Sequence, residues 1–379
     1  MTVALSRRAL SGAILGLGLA GLLAPASQAA PATTDPAKAA EARRTGDVRP
    51  WPVKVVVVTT YENGADTGDK PGELQLWAER EDLTERLDFP GGVHPLLTNK
   101  DHSVVAMVTG MGLVNSGASV MALAFDRRFD LKKAYWLVAG VGGVDPKVGA
   151  IGDAAWADYV VNDLAKSMDM REAPAGWPYG IYPMRSSKAG EMPSQKMEYG
   201  PFDRYAQVFP LNIGLTRWAY ELTKSVPLDY APELAAQAKV WTGFPNAQQP
   251  PRVRIGSSFA SNHFWHGEAG TQWARDWVRM FTDGKATFTM SDMEDSSIAE
   301  AMARLERMGL VNAGRLMVLR AASNYTLAHP GQTTFESAMS PHPGDGLPAY
   351  EAAYRVGSKV VHELASGWTR YADQTPSAP

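Results

Sequence analysis

Hydrophobic and polar positions along the chain alternate in blocks that predict strands and helices in turn. Val53 and Val55 to Val58 make a nearly continuous β-branched run, broken only by Lys54. Such runs suit strands buried on both faces of a parallel sheet. Residues 103–108 and 134–139 repeat the pattern, and residues 115–128 between them carry helical spacing. Further strands are predicted over 152–161, 253–259, 286–290 and 315–322. The clearest helix spans Ser291 to Met308. There Ile298, Met302, Leu305 and Met308 recur at helical spacing, Ser291 and Glu294 match a capping box, and Gly309 stands where the helix should close. A last helix is expected over 350–364. This alternation predicts a single α/β domain with a largely parallel central sheet flanked by helices. In such sheets ligands gather at the carboxyl ends of the strands.

The domain is expected over residues 52–370, with 30–51 as a linker and 371–379 as a flexible tail. Residues 162–215 break the pattern. They are rich in Pro, Gly, Met, Tyr and Trp and read as an insert that covers the domain. Residues 1–29 read as an export signal, with Arg7 and Arg8 before a short apolar stretch and Ser27-Gln28-Ala29 as a cleavage site. The paired arginines fit the twin-arginine route, which places the mature chain in the periplasm or outside the cell. The glycine string at 16–21 matches a dinucleotide fingerprint, but no strand precedes it.

Composition narrows the function classes. The net charge of −3 becomes −5 once Arg7 and Arg8 are removed, so nucleic acid is not an expected partner. The chain contains no cysteine, so an exported form depends on its core, which 379 residues with 45% hydrophobic content can supply. After the leader no stretch approaches the roughly 20 apolar residues of a spanning helix, so no stable membrane span is expected after signal removal.

Three clusters fall near predicted strand ends. The first is Thr109-Gly110-Met111-Gly112, whose glycines let the backbone approach a ligand. The second is Gly140-Val141-Gly142-Gly143, followed by Asp145-Pro146 and Gly152-Asp153. The third is Met293-Glu294, followed one helix and strand later by Arg320-Ala321-Ala322-Ser323-Asn324. His263 and His266 are spaced like metal ligands but lack a third, so no metal is expected. No G-x-S-x-G is present to suggest a serine hydrolase.

In order and spacing these clusters resemble the nucleoside phosphorylase and nucleosidase superfamily, and the whole chain with its insert resembles the purine nucleoside permease family. The resemblance implies a purine nucleoside as ligand and no cofactor, with phosphate as co-substrate only in a phosphorylase. It assigns Glu294 to the ribose hydroxyls with Met293 beneath the sugar, and Phe264 to stacking on the base. Thr109, Gly110, Gly140, Val141, Gly142 and Ser323 line the ligand. Asn324 stands where adenine-specific nucleosidases carry a base-protonating aspartate. Asparagine donates a hydrogen bond but transfers no proton, which implies a 6-oxopurine preference, weaker catalysis or binding alone. Related phosphorylases carry an arginine and a serine at the positions of Val138 and Val141, so the resemblance favours hydrolysis, with Arg320, Arg254 and Arg315 as the remaining phosphate ligands. Glu62, in the loop after the first strand, is the expected base for water, with Thr109 and Arg320 helping to hold it. The competing expectation is a non-catalytic nucleoside-binding component of uptake. Members of the superfamily commonly complete each site with a neighbouring subunit, so the resemblance also points to a homo-oligomer.

Overall fold

In the computed structural model, which describes residues 49–184, 186, 188–191 and 207–378, the β-branched runs become the middle of a twelve-stranded sheet. The expected export signal and most of the linker lie outside the described residues. Strands β1 (Val55–Thr59), β2 (Glu85–Leu87), β3 (Leu96–Thr98), β4 (Val104–Val108) and β5 (Tyr135–Val144) supply one half. The other half comprises β6 (Ala154–Trp156), β7 (Tyr159–Asn162), β8 (Val208–Pro210), β9 (Val253–Ile255), β10 (Ser257–Ala260), β11 (Phe288–Asp292) and β12 (Leu316–Tyr325). The longest path through it runs β8-β7-β10-β11-β5-β1-β4-β3-β2, with β12 pairing β5 and β6.

The centre is parallel, since β1 pairs β4 and β5, and β5 pairs β12 over its whole length. Beyond it, β11 meets the end of β5 antiparallel at Ser291 and Gly143. The sheet is therefore mixed rather than uniformly parallel, and its direction changes beside the glycine cluster. Two expected strands are each split in two. Residues 152–161 form β6 and β7, and residues 253–259 lie within β9 and β10.

The continuous apolar runs follow from burial on both faces. Val55 and Val57 join one core cluster and Val56 and Val58 the other. Tyr135, Leu137 and Ala139 alternate in the same way with Trp136 and Val138. The helices are α1 (Gln75–Arg80), α2 (Leu113–Ala124), α3 (Ile213–Thr223), α4 (Pro232–Ala238), α5 (Glu268–Phe281), α6 (Asp295–Arg307), α7 (Thr334–Met339) and α8 (Leu347–Ser366). Val356, Val360 and Leu364 of α8 pack on the first face, and Val120, Leu123, Ile298, Met302 and Leu305 of α2 and α6 on the second.

The start of α6 and the C-terminal segment depart from expectation. Helix α6 starts at Asp295, because β11 runs on through Ser291 and Asp292. The N-cap residue is Glu294, whose side chain makes no capping bond; Asp292 Oδ1 instead accepts the Glu294 and Asp295 N–H groups at 2.9 and 2.8 Å, so no Ser291–Glu294 capping box forms. Gly309 ends the helix as expected, at φ +72°. The described part of the 162–215 insert is ordered, with Trp177, Tyr179 and Tyr182 packed in a cluster with Trp273, Trp277 and Phe281. The segment expected to be a flexible tail is anchored instead, with Arg315 donating to Ala372 O at 2.9 Å and Ala378 N donating to Gly214 O at 2.9 Å.

Candidate functional site

The ends of β1, β4, β5 and β12 converge with the start of α6, and this convergence explains the glycines. The second cluster does not follow a strand but continues β5 to Val144. A Cβ on Gly140 would lie 2.5 Å from Arg320 Nη1 and 2.8 Å from Glu73 Oε1, and one on Gly142 would collide with Ser291 O. Glycine is required there by close approach, not by turn geometry. On the neighbouring strand the register slips between Ala322 and Asn324. Such a bulge re-aims side chains. Here it leaves Ser323 Oγ 3.3 Å from Gly142 O and 3.1 Å from Asn324 Oδ1.

Arg320 is the electrostatic centre. It is 1% exposed, paired across the strands with Gly140, and surrounded by acids. Its Nη2 donates to Glu294 Oε2 at 3.0 Å and Asp295 Oδ1 at 2.6 Å, Nε donates to Asp295, and Nη1 donates to Val141 O at 3.1 Å. Asp292 Oδ1 lies 3.7 Å from Nη2. Buried ions need such compensation, since an unpaired one costs several kcal/mol.

One guanidinium cannot balance every acid here, and a proton makes up part of the difference. Ser258 Oγ contacts both Asp292 Oδ2 and Asp295 Oδ2. A hydroxyl has one hydrogen, so it donates to one carboxylate and accepts from the protonated other. Asp292 is the carboxyl whose surroundings favour the protonated form. Burial, reinforced by the nearby Asp295 charge, pushes its carboxyl up to about 8 against the opposing pull of Arg320.

Glu294 is 4% exposed and holds two elements together. Its Oε1 accepts Gly112 N at 3.0 Å and its Oε2 accepts from Arg320. Gly112 has φ +88°, which presents that N–H to the carboxylate. Met293 precedes it, half-buried. Thr109 is buried, and its hydroxyl donates to Gly110 O at 2.9 Å, so it shapes the first loop.

The acid expected in the first loop is displaced. Glu62 accepts backbone N–H groups from Asn63, Gly72, Leu74 and Gln75, and so holds its loop against the start of α1. Its oxygens are turned into the loop. Glu73 instead faces the strand ends, because Glu73 N donates to Tyr61 O at 3.1 Å and folds the loop back. Its Oε2 accepts from Thr60 N at 2.6 Å and Thr60 Oγ1 at 2.9 Å, and its Oε1 accepts from Val141 N at 2.7 Å. Burial pushes its carboxyl up to about 7, with Arg320 opposing. Sequence reasoning missed Glu73, although an acid just before an apolar helical pattern (Leu74, Leu76, Trp77) was a visible signal.

The remaining expected residues divide by position. Phe264 is 56% exposed, with its ring nearly parallel to that of His266 at 6.1 Å. It shares a cavity wall with Asn324, whose Nδ2 also donates to Tyr325 O at 3.0 Å. Val138 is fully buried in the core. Arg254 is bound to buried Asp153, and Arg315 donates to Lys133 O and Ala372 O while stacking on Tyr135, so neither reaches the cluster around Arg320. Among the described residues no group of three or more His, Asp or Glu is arranged to hold a metal, and no helix is long and apolar enough to cross a membrane.

Residues 52–376 match the family described as purine nucleoside permease (NUP), and the chain belongs to that family. A purine nucleoside permease of Candida albicans is 26% identical over 306 residues, covering 79% of this chain and 73% of that one. A probable purine nucleoside permease of Schizosaccharomyces pombe is 23% identical over 278 residues, covering 72% and 78%. Among solved structures, a 5'-methylthioadenosine/S-adenosylhomocysteine nucleosidase of Neisseria meningitidis is similar with a TM-score of 0.49 and 14% identity, covering 83% of this chain and 99% of that one.

Proposed function

We propose that this member of the purine nucleoside permease family binds purine nucleosides at the Glu73–Arg320–Glu294 cluster and cleaves their N-glycosidic bond with water. The observation that carries the reading is Glu73, a buried carboxyl pushed up to about 7 at the carboxyl ends of β1 and β5. A general base works best with a pKa near the working pH. Thr60 and Val141 hold the carboxyl in place, and a water beside it is activated as Glu73 takes its proton. Glu294, fixed by Arg320 and Gly112, accepts from the ribose hydroxyls, with Met293 under the sugar. Phe264 stacks on the base, and Asn324 donates to its edge. Asparagine stabilises charge developing on the purine by hydrogen bonding alone, which suits 6-oxopurines, whose leaving base needs less protonation.

Water is favoured over phosphate because the one arginine at the cluster, Arg320, is already paired with acids, while Arg254 and Arg315 are held elsewhere. Arg320 is balanced by Glu294 and Asp295, Arg254 by Asp153, and Arg315 by backbone carbonyls. A phosphate dianion at the cluster would meet Glu73, Glu294 and Asp295, with Arg320 already shared between two of them. The leader of residues 1–29 supports action after export.

A second reading, nucleoside binding without turnover as part of uptake, is favoured by the transport names of the two curated relatives. Incubating the mature protein with inosine, guanosine and adenosine, with and without phosphate, separates the readings. Release of free ribose independent of phosphate is expected. Ribose 1-phosphate formed only with phosphate would establish phosphorolysis, and tight nucleoside binding with no base release would establish the binding component.

A further inference from the structure

A cavity of about 440 Å³ opens beside Asn324 and Phe264 and continues away from the sugar-binding carboxylate, since neither Glu294 nor Met293 lines it. This volume lies within the range of small-ligand sites. Its far walls come from two segments without a recognised motif. Trp241 follows α4, and Ser337 and Ala338 lie on α7.

The walls mix aromatic and apolar side chains with neutral polar ones and three histidines, His266, His329 and His342. No Asp, Glu, Lys or Arg lines the cavity. The imidazole of His266 has one nitrogen 2.9 Å from Ser337 Oγ, and burial lowers its pKa, which favours the neutral ring. Trp241 is 4% exposed and lies 3.9 Å, centroid to centroid, from Tyr325, tilted by 45°. A charged group placed there would find no Asp, Glu, Lys or Arg as counter-ion. A flat, neutral ring would meet aromatic faces on the side that leads out from Asn324.

We propose that this cavity is a subsite for a neutral ring-bearing substituent on the base, so that purine nucleosides with an aromatic group on an exocyclic nitrogen are preferred ligands. The inference rests on the nucleoside reading above, which places the base between Phe264 and Asn324. The substituent then passes Asn324 and packs against Trp241 and Tyr325, while the ribose stays at Glu294.

Titration calorimetry on the purified protein tests this, comparing N6-benzyladenosine with adenosine and N2-benzylguanosine with guanosine. At least one benzyl derivative is expected to bind about tenfold tighter than its parent, as burial of a phenyl ring predicts. Ala338→Trp, which fills the cavity from its rim, is expected to abolish that gain while leaving the parent nucleosides within about twofold of their wild-type affinity. Gln237→Trp, at another lining position, on α4, repeats the test if the first variant misfolds. Binding of the parents with no gain for either derivative overturns the subsite and leaves the proposed function standing. A gain that survives both tryptophan variants also overturns it. Failure of every nucleoside to bind overturns the proposed function and this inference with it.

Discussion

Replacing Glu73 with glutamine separates the carboxyl's cost to folding from its part in the chemistry. In the folded protein the group is buried against Thr60 and Val141, and its pKa is raised from 4.5 to about 7. The folded state therefore holds this proton more tightly than the unfolded chain. The stability linked to it is complete below the ordinary carboxylate range and is lost as pH rises through about 7. Between about pH 5 and about pH 8 the wild type should lose roughly 2 to 3 kcal/mol from this position alone. Glutamine does not titrate, so Glu73→Gln loses nothing there. It has its own cost, because its amide nitrogen must face the N–H of Thr60 or Val141, about 1 to 3 kcal/mol at any pH. Urea unfolding of both proteins at both pH values isolates the effect, since every other group titrates in each of them. The stability of the variant relative to wild type should improve by roughly 2 to 3 kcal/mol on going to the higher pH. Base release should fall by about 100-fold or more, as for loss of a general base, and wild-type kcat/KM should rise with pH through about 7. A relative stability that does not move between the two pH values would show that Glu73 is not the buried proton-holding group. Undiminished turnover would remove it from the chemistry.

Three further substitutions probe the neighbours. Glu294→Ala should weaken nucleoside binding by about 2 kcal/mol or more through loss of a charged acceptor, measured by calorimetry, and unchanged affinity would leave Glu294 only its link between Gly112 and Arg320. Asn324→Asp should raise the adenosine-to-inosine ratio of kcat/KM by roughly tenfold or more, because a transferable proton now faces the base; a constant ratio places Asn324 outside the base site. Arg320→Met should destabilise the fold by about 3 to 5 kcal/mol, because it leaves Glu294 and Asp295 buried without their cation, and a thermal melt close to wild type would contradict the charge balance drawn around Ser258.

The parts of this molecule legible in its sequence are those set by local pattern, and the parts missed depend on where the backbone returns. Val55 to Val58 and Tyr135 to Ala139 announce strands buried on both faces, because each alternate residue meets a different core cluster. Glycines 140, 142 and 143 were visible as a site signal, but the reason is tertiary. They admit Glu73, Arg320 and Ser291, which are distant in sequence. The same holds for the acids. Asp292 and Ser291 are both good cap residues, yet β11 extends through both, and Asp292 supports the first turn from the strand end by accepting the Glu294 and Asp295 N–H groups. That arrangement releases the Glu294 side chain to reach Arg320 and Gly112. Glu62 sits nearer the end of β1 in sequence, yet the loop of residues 61–74 turns Glu62 into its own backbone and delivers Glu73 to the strand ends. An acid at a helix start was readable, but which of two acids faces the sheet depends on how the loop folds back, through the Glu73–Tyr61 backbone bond and the backbone N–H groups that hold Glu62. The cavity walls at Trp241 and Ala338 left no sequence signal, since an apolar or aromatic residue there fits an ordinary core equally well. The proposed subsite therefore draws on the least patterned segments of the chain, while the proposed Glu73–Arg320–Glu294 cluster gathers at the ends of its most regular strands.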